Sequence, residues 1–218
     1  MTKKLPAPGY IKACGITTLD DALHAADAGV DAIGLNLWPK SPRFVPLKKA
    51  QIIAQALRAH VQIVTVTVDA TVSEVQEIIR EIQPHWLQMH GHETQEFIEQ
   101  FQPDAFCAVG LANDRDVERA INACGAWVLI DAKDEILRGG TGKMAPSSLA
   151  KRVIQKRPTL LAGGIIPENV YDAICDLQPY GIDVASGIEK APGQKDRQKL
   201  MHYVEKARSA FHKILQTS

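Results

Sequence analysis

The chain has 218 residues, of which 25 are lysine or arginine and 25 are aspartate or glutamate. This length fits a single domain over residues 1–218, with residues 1–9 as an N-terminal extension and a core large enough to need no disulfide or metal staple. The balanced charge excludes an electrostatic field that would recruit nucleic acid or an acidic membrane surface.

The four cysteines are widely scattered and form no C-x-x-C pair: Cys14, Cys107, Cys124 and Cys175. This pattern indicates reduced thiols, and it argues against a disulfide framework or a zinc site. Residues 1–8 are basic but lack the apolar stretch of a signal peptide, and no later apolar run reaches membrane-spanning length. We therefore expect a cytoplasmic protein with no membrane and no nucleic-acid partner.

Apolar, β-branched runs recur along the chain at the period of a strand–helix unit. They predict eight strands, at residues 10–14, 32–36, 62–68, 86–89, 105–109, 127–131, 159–162 and 182–185. Helical patterns lie between and after them, at residues 19–28, 47–59, 72–82, 93–101, 114–124, 147–156, 168–177 and 195–215. Eight strands that alternate with eight helices favour a single (β/α)8 TIM barrel with parallel strands and outer helices.

The last two predicted strands each run directly into glycine. Strand seven is followed by Gly163 and Gly164, and strand eight by Ser186 and Gly187. Glycine lets the backbone approach a ligand closely, and backbone N–H groups at the start of a helix favour an anion. In a (β/α)8 barrel the seventh and eighth loops often bind phosphate, so these residues predict a phosphate cradle.

Polar or reactive residues end or directly follow five of the predicted strands: Cys14, Asn36, Asp69, His90 and Asp131. In a (β/α)8 barrel these ends form the active-site face. Strand parity places Lys12 on the face of Cys14, and Gln88 on the face of His90. The loop at residues 133–143 is long and rich in glycine, as mobile active-site segments often are.

Motifs in the same order along the chain resemble the phosphoribosylanthranilate isomerase family of tryptophan biosynthesis. They are Lys12-Ala13-Cys14-Gly15, Pro39-Lys40-Ser41-Pro42-Arg43, Gln88-Met89-His90-Gly91, Ile130-Asp131, Gly139-Gly140-Thr141-Gly142, Ala162-Gly163-Gly164, and Asp183-Val184-Ala185-Ser186-Gly187-Ile188-Glu189. Each motif is weak alone, but together they span residues 10 to about 200. The resemblance implies the TIM-barrel fold that the strand pattern predicts.

The resemblance also implies an Amadori rearrangement of N-(5'-phosphoribosyl)anthranilate, with Cys14 as general base and Asp131 as general acid. A thiolate base needs a cationic neighbour, for which Lys12 is a candidate, and a protonated Asp131 needs partial burial. Arg43 is assigned to the anthranilate carboxylate because a guanidinium fork matches that group. A solvated surface arginine is the alternative.

The remaining site residues follow from the same resemblance. Gln88, His90 and Asp183 are assigned to the substrate, with a ribose hydroxyl as the partner of Asp183 or, alternatively, solvent. Gly142 joins Gly163, Gly164, Ser186 and Gly187 as phosphate-binding residues. No cofactor and no metal are expected. The partner is a small phosphosugar substrate, and the chain is expected to be a monomer or a homodimer.

Other functions explain the sequence less well. The segment at residues 139–143 departs from a P-loop at the first glycine and at the Mg²⁺-binding hydroxyl, and His85, His90 and His92 lack a fourth zinc ligand at suitable spacing. Two alternatives remain open. One is a histidine-pathway isomerase, which usually carries aspartate where this chain has Cys14, and the other is a ligand sensor that retains only the phosphate cradle.

Overall fold

The computed structural model describes residues 4–131 and 148–216. Eight parallel strands close into one barrel in chain order, which confirms the predicted (β/α)8 fold. The strands are β1 (Tyr10–Cys14), β2 (Ala32–Asn36), β3 (Gln62–Thr67), β4 (Trp86–Met89), β5 (Ala105–Gly110), β6 (Val128–Asp131), β7 (Thr159–Ala162) and β8 (Gly181–Val184). Each lies within one residue of its predicted start and end.

Helices cover the outside of the barrel, as α1 (Leu19–Asp27), α2 (Leu47–Leu57), α3 (Val72–Ile82), α4 (Gln95–Glu99), α5 (Asp114–Ile121), α6 (Ser148–Ile154), α7 (Val170–Leu177) and α8 (Arg197–Gln216). The fourth is shorter than its predicted range because Thr94 caps it, accepting a hydrogen bond from the Phe97 amide. Residue 147, the predicted start of the sixth helix, lies outside the described residues.

The end of the chain contains a hairpin that the sequence did not predict. After β8, a short 3₁₀ turn (Ser186–Ile188) leads into β9 (Glu189–Ala191), which pairs antiparallel with β10 (Gln194–Lys195). Lys195 therefore belongs to a strand, and the last helix begins at Arg197 and not at residue 195 as predicted. The hairpin thus follows the eighth loop of the barrel directly in the chain.

The interior of the barrel is closed at the N-terminal ends of its strands by aromatic side chains. The rings of Tyr10, Trp86 and Phe106 lie 5.0, 4.7 and 5.3 Å from the Trp127 ring. The Gln62 side-chain oxygen accepts hydrogen bonds from the Tyr10 hydroxyl and from the Trp86 indole, at 2.9 and 2.8 Å. This aromatic layer fills one end of the barrel, and the described residues leave the interior open at the C-terminal ends of the strands.

Removal of the Trp127 side chain should therefore destabilise the whole domain. We expect Trp127→Ala to lower the free energy of unfolding by about 3–5 kcal/mol, because a fully buried indole in contact with three rings leaves a cavity. Urea denaturation measures the change. Trp38→Ala, which removes a half-buried indole outside the barrel interior, is the matched control. Equal losses in the two variants would contradict a special role for the aromatic layer.

Candidate active site

A cavity of about 300 Å³ lies at the C-terminal ends of the strands. Ten of the eleven residues that the sequence predicts for the site line it: Cys14, Arg43, Gln88, His90, Asp131, Gly163, Gly164, Asp183, Ser186 and Gly187. The eleventh, Gly142, lies outside the described residues, as does the predicted mobile segment at residues 133–143. These ten residues come from four strands and from the second, fourth, seventh and eighth loops, and they surround one space.

A buried ion pair lies beside Cys14. The Lys12 ammonium is fully buried and donates a hydrogen bond of 2.8 Å to Asp183 Oδ1. A side chain on Gly34, the β2 partner of Cys14, would meet both Cys14 Sγ and Lys12 Nζ, so these two atoms share the space above a glycine. Burial lowers the pKa of Lys12, but Asp183 and Cys14 raise it more, so Lys12 stays protonated.

The environment of Cys14 favours the neutral thiol. The residue is half-buried by surface area, yet protein atoms surround its sulfur closely. Burial raises the pKa of the thiol, and Asp183 raises it further, while Lys12 and Lys195 lower it. Burial has the largest effect, so the pKa of the Cys14 thiol lies above its ordinary value. Lys12 lowers the pKa of the thiol, as expected, but by less than burial raises it.

Gln88, His90 and Asp131 form another part of the cavity wall. The Gln88 amide nitrogen lies 3.0 Å from His90 Nδ1. Gln88 is 1% exposed, and its side-chain oxygen has no hydrogen-bond partner among the described residues. Dense protein surroundings and the Lys12 charge lower the pKa of His90, against the opposing effect of nearby carboxylates that include Asp131. A neutral imidazole and an amide can therefore bind a ligand through hydrogen bonds.

The seventh and eighth loops are in backbone contact. Gly163 and Gly164 adopt the left-handed region, with φ of +88° and +67°, and Asn169 holds the loop by donating to the Gly164 carbonyl and accepting from the Ile166 amide. A side chain on Gly187 would overlap the Ile165 carbonyl oxygen. Gly187 is therefore required where the two loops meet, whereas the sequence had suggested only room for a ligand.

Arg43 forms a bidentate ion pair with Glu189. Arg43 Nε and Nη2 donate to the two carboxylate oxygens at 2.8 and 2.6 Å. Glu189 also accepts from Lys195 Nζ at 3.0 Å. Sequence analysis assigned no role to Glu189 or Lys195, although Glu189 ends the motif that carries Ser186 and Gly187. The position of Glu189, two residues after the predicted phosphate loop, was the available signal.

Over residues 4–131 and 148–216, no group of three or more histidine, cysteine or carboxylate side chains is placed to hold a metal ion. None of the helices in these two segments is both long and apolar enough to span a bilayer.

Comparison with known proteins shows to which family the chain is related. The family model for N-(5'-phosphoribosyl)anthranilate (PRA) isomerase matches residues 11–206. The N-(5'-phosphoribosyl)anthranilate isomerase of Legionella pneumophila (strain Paris) is 39% identical over 207 residues, which cover 92% of this chain and 97% of that protein.

Solved structures agree. Phosphoribosyl anthranilate isomerase from Thermotoga maritima superposes with a TM-score of 0.80 at 31% identity, over 92% of this chain and 98% of that chain. A phosphoribosyl anthranilate isomerase in complex with reduced 1-(o-carboxyphenylamino)-1-deoxyribulose 5-phosphate has a TM-score of 0.77 at 32% identity, over the same shares. The chain therefore belongs to the N-(5'-phosphoribosyl)anthranilate isomerase family.

Proposed function

We propose that Cys14 and Asp131 carry the two proton transfers of the reaction that this family catalyses. Family membership makes the chain an aldose–ketose isomerase of tryptophan biosynthesis. The reaction is the Amadori rearrangement of N-(5'-phosphoribosyl)anthranilate to 1-(2-carboxyphenylamino)-1-deoxyribulose 5-phosphate. The observation that supports these roles is the position of Cys14 and Asp131 at the ends of β1 and β6, where both line one cavity.

Asp131 acts first, as the general acid. It donates a proton to the furanose ring oxygen, the bond from that oxygen to sugar C1 breaks, and a protonated Schiff base forms. The half-buried carboxyl group at the end of β6 is accessible to such an oxygen while it is partly shielded from water. A correctly placed general acid or base contributes roughly 10²–10⁴-fold to the rate.

Cys14 acts second, as the general base. Its thiolate removes the proton from sugar C2, and the C2 electron pair moves to form the enolamine, which tautomerises to the ketone. Lys12 supports this step because its ammonium lies beside the sulfur and stabilises the thiolate. Burial raises the pKa of the thiol, so the thiolate fraction available for this step grows as the pH rises.

The other residues bind the substrate. The backbone of Gly163, Gly164, Ser186 and Gly187 binds the phosphate, together with Gly142, which lies outside the described residues. Asp183 accepts a hydrogen bond from a ribose hydroxyl through the carboxylate oxygen that does not face Lys12, and Gln88 and His90 also contact the substrate. Arg43 binds the anthranilate carboxylate. A cytoplasmic location and a monomeric or homodimeric state complete the proposal.

Loss of either proposed proton-transfer group should abolish turnover without abolishing binding. We expect Cys14→Ala and Asp131→Asn each to lower kcat by about 10²-fold or more. The decrease in fluorescence of freshly prepared phosphoribosylanthranilate measures turnover, and calorimetry measures product affinity. Cys107→Ala, at a cysteine that does not line the cavity, is the matched control. If a variant keeps more than about a tenth of the unmodified kcat, the replaced residue does not have its assigned role. Tight binding without turnover by the unmodified protein would instead favour the ligand sensor.

The pH dependence should reveal the ion pair beside Cys14. Lys12 lowers the pKa of the thiol, so Lys12→Met should raise that pKa and move the rising limb of kcat/KM to higher pH. Asp183 raises the pKa of the same thiol, so Asp183→Asn should move the limb to lower pH, whatever it does to substrate affinity. Shifts of the same sign in both variants would show that another group titrates.

The positive φ of Gly164 should matter for phosphate binding. Gly164→Ala forces a side chain into the left-handed region, at a cost of roughly 1–2 kcal/mol, so the phosphate loop relaxes and affinity for the product falls by about tenfold. Phosphorus NMR titration measures the affinity. Gly29→Ala adds the same strain at φ +87°, with open space around the new side chain and far from the cavity. Equal loss of affinity in both variants would show that backbone strain anywhere in the barrel weakens binding, and would contradict a specific role of Gly164 at the phosphate.

A further inference from the structure

We propose that Glu189 is a positioning residue that presents the outer edge of the Arg43 guanidinium to the carboxylate of the substrate. The inner edge of the guanidinium consists of Nε and Nη2, and these two atoms keep their hydrogen bonds to Glu189. The outer edge consists of Nη1 and the second N–H of Nη2, and the substrate carboxylate binds end-on to these. The identity of the substrate in this inference rests on the proposed function. The position of Glu189 behind Arg43 is independent of it.

The arrangement of the pair places Arg43 between Glu189 and the cavity. Arg43 lines the cavity and its side chain is 23% exposed, whereas Glu189 does not line it and its side chain is 5% exposed. Both carboxylate oxygens of Glu189 face the inner edge of the guanidinium. The outer edge is therefore the part of the fork that an incoming carboxylate can reach, and a bidentate contact there matches carboxylate geometry.

Glu189 cannot leave Arg43 easily, because other donors hold the same carboxylate. Its Oε1 accepts from Lys195 Nζ at 3.0 Å and from the Gly193 amide at 3.2 Å. Burial raises the pKa of Glu189, but Arg43 and Lys195 lower it more, so the residue stays ionised. A carboxylate fixed by a backbone amide and two side chains acts as an anchor and does not compete as a mobile ligand for Arg43.

The same anchor is connected to the proposed base. Lys195 Nζ, whose side chain is 1% exposed, donates to the Cys14 carbonyl at 2.6 Å and to the Ala185 carbonyl at 3.1 Å. The Arg43 side chain passes over Gly15, where any Cβ would overlap its Cδ. The Glu189 carboxylate therefore holds the Arg43 guanidinium, which binds the aromatic end of the substrate. Through Lys195 it also holds that guanidinium in a fixed position relative to the backbone of Cys14.

The charges of this cluster also fit the role. Two cationic side chains, Arg43 and Lys195, contact the one carboxylate of Glu189, so the three groups together carry one net positive charge, and of the two cations Arg43 lines the cavity. A ligand carboxylate supplies the missing negative charge. Because the guanidinium is already ordered, binding does not have to immobilise a long, flexible side chain.

A binding cycle tests the proposal. The probes are reduced 1-(o-carboxyphenylamino)-1-deoxyribulose 5-phosphate and the same compound without the ring carboxylate, with affinities measured by calorimetry. In Glu189→Gln the amide oxygen can accept from one Arg43 donor, but the amide NH₂ then faces the other donor. The bidentate contact is therefore lost. We expect the substitution to weaken the carboxylate ligand by about tenfold and the other ligand by less than about twofold. In an Arg43→Ala background, Glu189→Gln should then have no further effect.

Kinetics and control variants sharpen the test. Glu189→Gln should raise KM while kcat stays within about threefold, because binding and not proton transfer is affected. Asp31→Asn removes a carboxylate from the Asp31–Arg208 pair, 2.8 Å apart at the opposite end of the barrel, and should lower Tm without changing the preference for the carboxylate ligand. Glu189→Asp keeps the charge but shortens the side chain, so it should show the same selective loss to a smaller extent. This variant keeps the test available if Glu189→Gln does not fold.

Three results would overturn the proposal. Equal weakening of both ligands would show that Glu189 only supports packing. Tighter binding of the carboxylate ligand by Glu189→Gln would show that Glu189 competes for Arg43 instead of positioning it. Additive losses in the double variant would show that Glu189 acts without Arg43. Lack of turnover by the unmodified protein would contradict the proposed function alone, since the binding cycle does not depend on turnover.

Discussion

The Lys12–Asp183 ion pair is the interaction on which the rest of the site depends. Lys12 and Asp183 are register partners across the seam where β1 meets β8 and the barrel closes. Loss of one member of a buried pair leaves an uncompensated charge, at a cost of about 3–5 kcal/mol. The pair therefore favours the one register of the seam that brings the two charges together, and it also places a cation beside Cys14.

The interior of the barrel changes character along its axis. Aromatic rings fill the N-terminal end, the ion pair and Gln88 occupy the middle, and the reactive side chains lie at the open end. The charged groups Lys12 and Asp183 in the middle layer are shielded from solvent. Their electrostatic effect on the pKa values of Cys14 and His90 is therefore weakly screened. The aromatic layer keeps water away from that middle layer on the other side.

The sequence predicted the eight strands because buried parallel strands leave short apolar runs that glycine and polar residues interrupt. It also predicted that ten of the described candidate residues share the cavity, since the C-terminal ends of parallel strands must meet at one face; Asp69, also expected at that face, does not line it. It did not predict the β9–β10 hairpin, because each strand has only two or three residues and too little periodicity to detect. Without that hairpin, Lys195 was assigned to a helix and Glu189 had no visible partner. The raised pKa of Cys14 was also missed, since burial depends on the packing of distant segments.

The contact between Gly187 and the Ile165 carbonyl has a consequence for how the protein responds to temperature. Two loops whose backbones touch share their thermal motion, so a fluctuation that opens one must displace the other. The conformational entropy of the pair is lost when the chain folds and not when a ligand arrives. Warming should therefore loosen the two loops together and not one after the other.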